Sequence, residues 1–183
     1  MDHAKIVRMA CTALFCFGSV ALVATRSNAQ EATDSYLNGA EFGDWQLSCE
    51  ALTTTELTCS VVQQLTRTAD GSLIARLVVI NGADEGQFLL VGQTPDGVHL
   101  PSGFVYSFDD EEIAETRDLV WQQCLAGVCE AALIWDAEEL AVVNQYDNLL
   151  MAYRQAPGVD PLVFRVDVSE LDTALVALAT TRR

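Results

Sequence analysis

Positive charge is scarce in this sequence. Lys5 is the only lysine, and ten Lys and Arg residues face 26 Asp and Glu, for a net charge of −16. Such a field repels phosphate backbones and anionic head groups, which argues against nucleic acid and against direct binding to a lipid surface. Histidine is nearly absent too: beyond His3 there is only His99, within Gly97-Val98-His99-Leu100-Pro101. Catalysis of the Ser-His-Asp or Cys-His kind needs an imidazole beside a nucleophile, and no G-x-S-x-G accompanies the one available. H-E-x-x-H, the P-loop and G-x-G-x-x-G are all missing. No C-x-x-C is present to support thiol redox chemistry. After Ala24 no apolar run approaches the ~20 residues that a membrane helix needs.

The N-terminus has a recognisable order. Lys5 and Arg8 precede an apolar run from Met9 to Ala24, and Ser27 and Ala29 then stand at −3 and −1 of a cut after Ala29. Positive, apolar, then small-x-small is the pattern of a secretory signal peptide, assigned here to residues 1–29. At 16 residues the run is short for an anchor. Leu14-Phe15 before Cys16 does not suit a lipoprotein cut. Residues 30–41 are polar and aperiodic, expected as a mobile tail, and residues 42–183 are expected as one domain. Loss of residues 1–29 removes three of the ten bases and one of the 26 acids, which takes the net charge to −18. The mature chain is expected to be soluble, without a transmembrane segment, and located in the periplasm, in the outer envelope or outside the cell.

Four cysteines remain in that chain: Cys49, Cys59, Cys124 and Cys129. An even number in an exported chain implies disulfides, and four cysteines allow three connectivities. Cys49–Cys59 and Cys124–Cys129 are favoured, because each pair flanks a short segment that reads as a hairpin loop. Loop entropy gives about 2 kcal/mol for the shorter ring and about 3 kcal/mol for the longer. A zinc site would want paired C-x2–4-C arms or added histidines, which the spacing does not supply.

Period-two alternation begins near Phe42. Trp45, Leu47 and Cys49 share one face, as do Leu57, Cys59, Val61, Gln63 and Leu65, and later Phe104, Tyr106 and Phe108. Cys129, Ala131, Leu133 and Trp135 form another such set, and Leu162, Phe164, Val166 and Val168 the last. These read as half-buried strands, whereas the more continuously apolar stretches Leu73–Ile80 and Gln87–Gly92 read as central ones. Turn signals separate them at Asp70-Gly71, Asn81-Gly82, Pro95-Asp96-Gly97, Pro101-Ser102-Gly103 and Pro157-Gly158. Asp136 with Glu139 predicts a capped helix from Ala137 to about Gln145. Ser169 with Asp172 predicts another, with Leu171, Ala174, Leu175, Leu178 and Ala179 on one face. Many short strands with frequent turns predict an all-β sandwich or barrel with one or two short helices, one of them C-terminal.

Two chemistries stay open on composition. Plentiful carboxylates permit a glycosidase-like acid pair, and the cluster Asp109-Asp110-Glu111-Glu112 with Glu115 and Asp118 permits a loose calcium site, although it lacks the EF-hand loop. A solvated acidic surface is the simpler expectation for both. The aromatic residues Trp45, Phe104, Tyr106, Phe108, Trp121, Trp135 and Phe164 stand where core is expected before a ligand groove. Arg76, Arg165 and Asp167 are expected to guard sheet edges.

Several segments together resemble one family. Phe42-Gly43-Asp44-Trp45 running to Cys49, then Cys59-Ser60-Val61-Val62-Gln63-Gln64, resembles the opening of the invasion-associated locus B family of bacterial envelope proteins. Thr94 to Gly103 is similar to its central turn, Cys124 to Ala131 to its paired-cysteine hairpin, and Val166 to Leu178 to its closing strand and helix. In place of the Gly-Phe expected before the last helix stands Glu170-Leu171. The resemblance implies an immunoglobulin-like β-sandwich in the envelope, with host-cell entry as a role of some members. It brings no catalytic, cofactor-binding or metal-binding residues. A non-enzymatic module with an unidentified envelope or other protein partner is therefore the first expectation. A carboxylate-pair glycan hydrolase and a cation-responsive stability module are the alternatives.

Overall fold

The structure, a computed structural model, describes residues 38–54, 56–109 and 115–181. The expected leader, most of the polar tail and Asp110, Glu111 and Glu112 lie outside the described residues. Ten strands follow in chain order: β1 Glu41–Phe42, β2 Trp45–Ala51, β3 Leu57–Thr66, β4 Leu73–Asn81, β5 Phe88–Pro95, β6 Phe104–Phe108, β7 Thr116–Leu125, β8 Val128–Trp135, β9 Asn148–Tyr153 and β10 Leu162–Asp167. Helix α1 spans Ala137–Val143, and helix α2, at the C-terminal end, spans Leu171–Thr180. The strands run antiparallel in the order β1-β2-β3-β4-β5-β8-β7-β6-β9-β10.

Strand β7 turns this sheet into two layers. Its first half pairs with β6, Leu119 opposite Phe104. Its second half pairs with β8, Cys124 opposite Cys129, after a register shift between Trp121 and Gln123. An extra residue on one strand of a pair bends it and increases its twist, so the two halves fold face to face. Side chains bridge the layers. Trp45 Nε1–H donates to the Asp167 carbonyl at 2.8 Å, and the Tyr153 hydroxyl donates to the Ile74 carbonyl at 2.9 Å. The Phe104 ring of β6 lies directly against Gly92 of β5, a position with no room for a Cβ. Trp45, Leu47, Leu77, Leu90, Phe104, Tyr106 and Trp135 fill the core between them. Leu171, Ala174, Leu175, Ala177 and Leu178 of α2 join that core on the β1–β4 side.

The all-β sandwich with two helices is the one the alternation predicts, with some differences in detail. Polar order begins earlier than Phe42: the Asn38 side chain bonds both the N–H and the carbonyl of Cys49 at 2.8 and 3.1 Å. Asp136 caps α1 as expected, its carboxylate accepting from Glu139 N–H at 2.9 Å. Ser169 does not cap α2, because its N–H and hydroxyl both donate to Asp167 Oδ1 at 3.0 and 2.7 Å, closing an Asx turn one residue early. The helix starts after Glu170 with no side-chain cap, and Ala177 replaces Ala179 on its buried face. Arg165 and Asp167 do lie on the edge strand β10. Arg76 does not guard an edge; it lies on β4, flanked by β3 and β5.

Both disulfides join residues that face each other in hairpins, Cys49 with Cys59 across β2–β3 and Cys124 with Cys129 across β7–β8. The second hairpin turns on Ala126-Gly127 with φ of 52° and 86°. Two positive φ values are what a two-residue turn matching strand twist requires.

Candidate interaction face

Strands β4 and β5 read as buried on both sides, yet only one side is. Ala75, Leu77, Val79, Phe88, Leu90 and Gly92 point into the core, while the alternating positions between them are only half-buried. That outward face carries an apolar row one residue wide and five strands long. Val62 pairs with Val78, Val78 with Val91, Val91 with Ala132 and Ala132 with Val120. A second row places Ile80 opposite Leu89 and Leu89 opposite Ile134. Val120 and Ile134 are 62% and 57% exposed. With Leu89, Val91 and Ala132 they line a shallow groove of about 640 Å³.

Single exposed apolar residues are ordinary, whereas these lie in register across neighbouring strands, with Val120 and Ile134 exposed at one end. The flank of the row is polar and ordered. Arg76 donates to Gln93 Oε1 at 3.0 Å, Gln93 donates to Glu130 Oε1 at 2.8 Å, and Gln123 donates to Glu130 Oε2 at 2.8 Å. The bonds from Gln123 and then Gln93 hold the Glu130 carboxyl below the usual range, so it stays charged. Beyond Arg76 a second cleft, about 420 Å³, is lined by Glu41, Asp44, Gln46, Ser48 and Gln64.

A second ordered polar group sits where α1 meets the sheet. The Tyr106 hydroxyl donates to Glu139 Oε1 and accepts from Trp135 Nε1–H at 3.0 Å. Arg117 Nε–H reaches both Glu139 oxygens at 3.2 Å, its NH1 reaches Glu115 at 3.1 Å, and its guanidinium lies 5.9 Å from the Phe108 ring centre. Burial first, then the bond to Glu139, pushes the Tyr106 hydroxyl well above the ordinary tyrosine value. Each member has a partner, so the group fastens α1 to β6, β7 and β8.

The sequence candidates are dispersed. His99 occupies the turn before a short 3-10 segment, its Nδ1 2.7 Å from Ser102 Oγ and its N–H bonded to the Arg154 carbonyl. Asp109 pairs with Arg165 at 2.9 Å. Among the described residues no three His, Cys, Asp or Glu side chains are grouped to hold a metal. Of the aromatic candidates, Trp45, Phe104, Tyr106, Phe108, Trp135 and Phe164 are buried core and Trp121 stacks on Phe104 with ring centres 5.8 Å apart. Gln63 Oε1, Thr94 Oγ1 and Trp121 Nε1 are buried without a protein partner, on three different strands. No described helix is long and apolar enough to cross a membrane.

The outward row escaped the sequence reading, although β8 carried its signal. Ala132 and Ile134 stand where a half-buried strand should be polar.

Fold and surface define a small two-layer β-domain whose hairpins are pinned by disulfides and whose C-terminal helix completes the core. The family model described as "Invasion associated locus B (IalB) protein" matches residues 45–179, from the start of β2 to the last turn of α2, and the chain belongs to that family. A crystal structure of invasion associated protein b from Bartonella henselae shares the fold. The TM-score is 0.64 at 19% identity, over 76% of this chain and 93% of that one. No curated protein matches the sequence.

Proposed function

We propose that the protein is an exported envelope component that acts by binding another protein rather than by turnover, and that it binds through the outward face of β4, β5, β8 and β7. The apolar row ending at Val120 carries this reading, because a sheet face that exposes valine and isoleucine side by side gains from being covered. Family membership and two disulfides support an oxidising compartment outside the cytoplasm.

Two measurements test it. A photo-crosslinking side chain at Val120 should give a discrete higher-mass adduct in intact cells, and one at Thr68, in the β3–β4 turn, should not. Adducts at both positions alike, or at neither, count against the face. Mass analysis of the cell-envelope form should give a chain starting at Gln30 with no free thiol; a full-length cytoplasmic form with all six cysteines as thiols would refute export. Reproducible hydrolysis of a glycan, abolished by changing one carboxylate, would refute the non-enzymatic part.

A further inference from the structure

Charge around the apolar row identifies what would cover it. Glu130 borders the row on β8, between the amides of Gln93 and Gln123. Asp118 is exposed on β7 two positions before Val120, and Asp136, the α1 cap that follows the end of β8, is exposed two positions after Ile134. Asp84 and Glu85 are exposed in the turn that leads into β5. Arg76 on this face is already bonded to Gln93. The groove is therefore apolar in its floor and anionic around its rim, on a chain whose net charge is −16.

We propose that this groove docks a basic amphipathic segment of a protein partner, whose apolar side chains cover Val91, Val120, Ala132 and Ile134 while its arginines or lysines meet Glu130, Asp118 and Asp136. The inference rests on the binding function proposed above and adds the chemistry of the partner. A second copy of the chain would bring the same acidic rim against itself, and an anionic bilayer would be repelled by it. A segment carrying both apolar and positive side chains satisfies floor and rim together.

The test uses natively produced protein with both disulfides intact and three fluorescent peptides of equal length: alternating Leu-Arg, Leu-Glu and Ser-Arg. Anisotropy should show the Leu-Arg peptide binding, with the other two at least about tenfold weaker. Binding should weaken further as salt is raised. Val120→Thr with Ile134→Thr keeps strand propensity at exposed positions, and should lower Leu-Arg affinity about tenfold at unchanged Tm. Glu130→Gln with Asp118→Asn should also lower Leu-Arg affinity about tenfold, measured well below the Tm of the variant, where it is folded.

Equal binding of Ser-Arg would mean that only the general acidic field acts, and would overturn the proposal. So would binding of Leu-Glu, or indifference to the Val120 and Ile134 changes. A dimer in sedimentation that Ile134→Thr dissociates would assign the face to a second copy. Retention by phosphatidylglycerol vesicles, lost in the same variant, would assign it to lipid. An adduct at Val120 in cells without Leu-Arg binding would overturn the partner chemistry and leave the binding function standing; failure of both overturns both.

Discussion

Gly92→Ala should destabilise the protein, and should do so only while Phe104 is present. A Cβ at position 92 would stand 2.4 Å from Phe104 Cε1 and 3.1 Å from Cδ1 and Cζ. Carbon atoms in contact prefer about 3.5–4.0 Å, so the overlap is on the order of 1 Å. Phe104 has nowhere to go. It is fully buried, and its ring is held by Trp121, Tyr153 and Phe164 at centre distances of 5.8, 5.6 and 6.2 Å. Overpacking of this kind costs about 1–3 kcal/mol. Against it stands the gain of about 0.5–1 kcal/mol when alanine replaces glycine inside a strand. A net loss of about 2 kcal/mol follows at the upper end of the overlap cost, which for a domain of this size lowers Tm by about 4–8 °C. The informative experiment is a double-mutant cycle with Phe104→Leu, followed by urea unfolding. Phe104→Leu alone is destabilising because it leaves a cavity. In its background Gly92→Ala should cost less than about 0.5 kcal/mol, for a coupling above about 1 kcal/mol. Equal cost in both backgrounds, or a neutral Gly92→Ala, would refute the close approach of β6 onto β5 and with it the two-layer packing.

Further expectations concern covalent and titrating groups. Paired Cys49→Ser and Cys59→Ser changes should cost about 3 kcal/mol and paired Cys124→Ser and Cys129→Ser changes about 2 kcal/mol in urea unfolding; insensitivity of the wild type to reductant would contradict both. Tyr106 ionises at a higher pH in the fold than in the unfolded chain. Its contribution is therefore complete below the unfolded value of about 10 and is lost as pH rises from there toward the folded value. Tyr106→Phe should flatten the fall of Tm above about pH 10 without abolishing it, since burial raises Tyr153 as well. Glu130 has the opposite sign: its stabilisation is present above the unfolded value of about 4.3 and disappears as pH falls through the lower folded value. Glu130→Gln should therefore reduce the loss of stability as pH falls below the unfolded value of about 4.3.

Strands that obey period two were legible from the residues alone. The sets Trp45-Leu47-Cys49, Phe104-Tyr106-Phe108 and Phe164-Val166-Val168 alternate inward as expected, and the two cysteine hairpins locate their own partners. Beyond the two-residue β1, whose Glu41 falls in the stretch expected as a mobile tail, two strands are not legible, each for a local reason. In β7 the register shift between Trp121 and Gln123 restarts the alternation midway, so no single face runs through Thr116–Leu125. In β9 the inward set Leu149, Met151 and Tyr153 is interleaved with Leu150 and Ala152, and this blurs the contrast that period two depends on. Helix α2 is legible in place but not in its cap, since Ser169 can bond backward to Asp167 or forward into the helix, and the sequence does not say which.

The same blurring explains why the outward apolar face is not legible. An apolar residue at an outward strand position has two physical causes, burial under a second layer or exposure to a partner, and both leave the same string of letters. Leu73–Ile80 and Gln87–Gly92 suggested the first cause, as continuous apolar runs do in sheets covered on both sides. Among the described residues the strand order places no layer there. The second layer, formed by β6, β9, β10 and part of β7, lies on the inner side, where Tyr153 reaches Ile74 and Phe104 reaches Gly92. The chain has two helices among its described residues, and neither lies over Val91, Ala132 and Val120: α2 packs on β1–β4 as part of the core, and α1 packs on β8. Apolar content beyond what the core needs is then left on one face, aligned in register across five strands and bordered by carboxylates. A sequence that needed only solubility would have placed polar residues there, as it did one row away at Gln64, Arg76, Gln93 and Glu130. The departure from period two is thus the part of the sequence that stability of the isolated domain does not explain, and it is the part that the proposed binding would use.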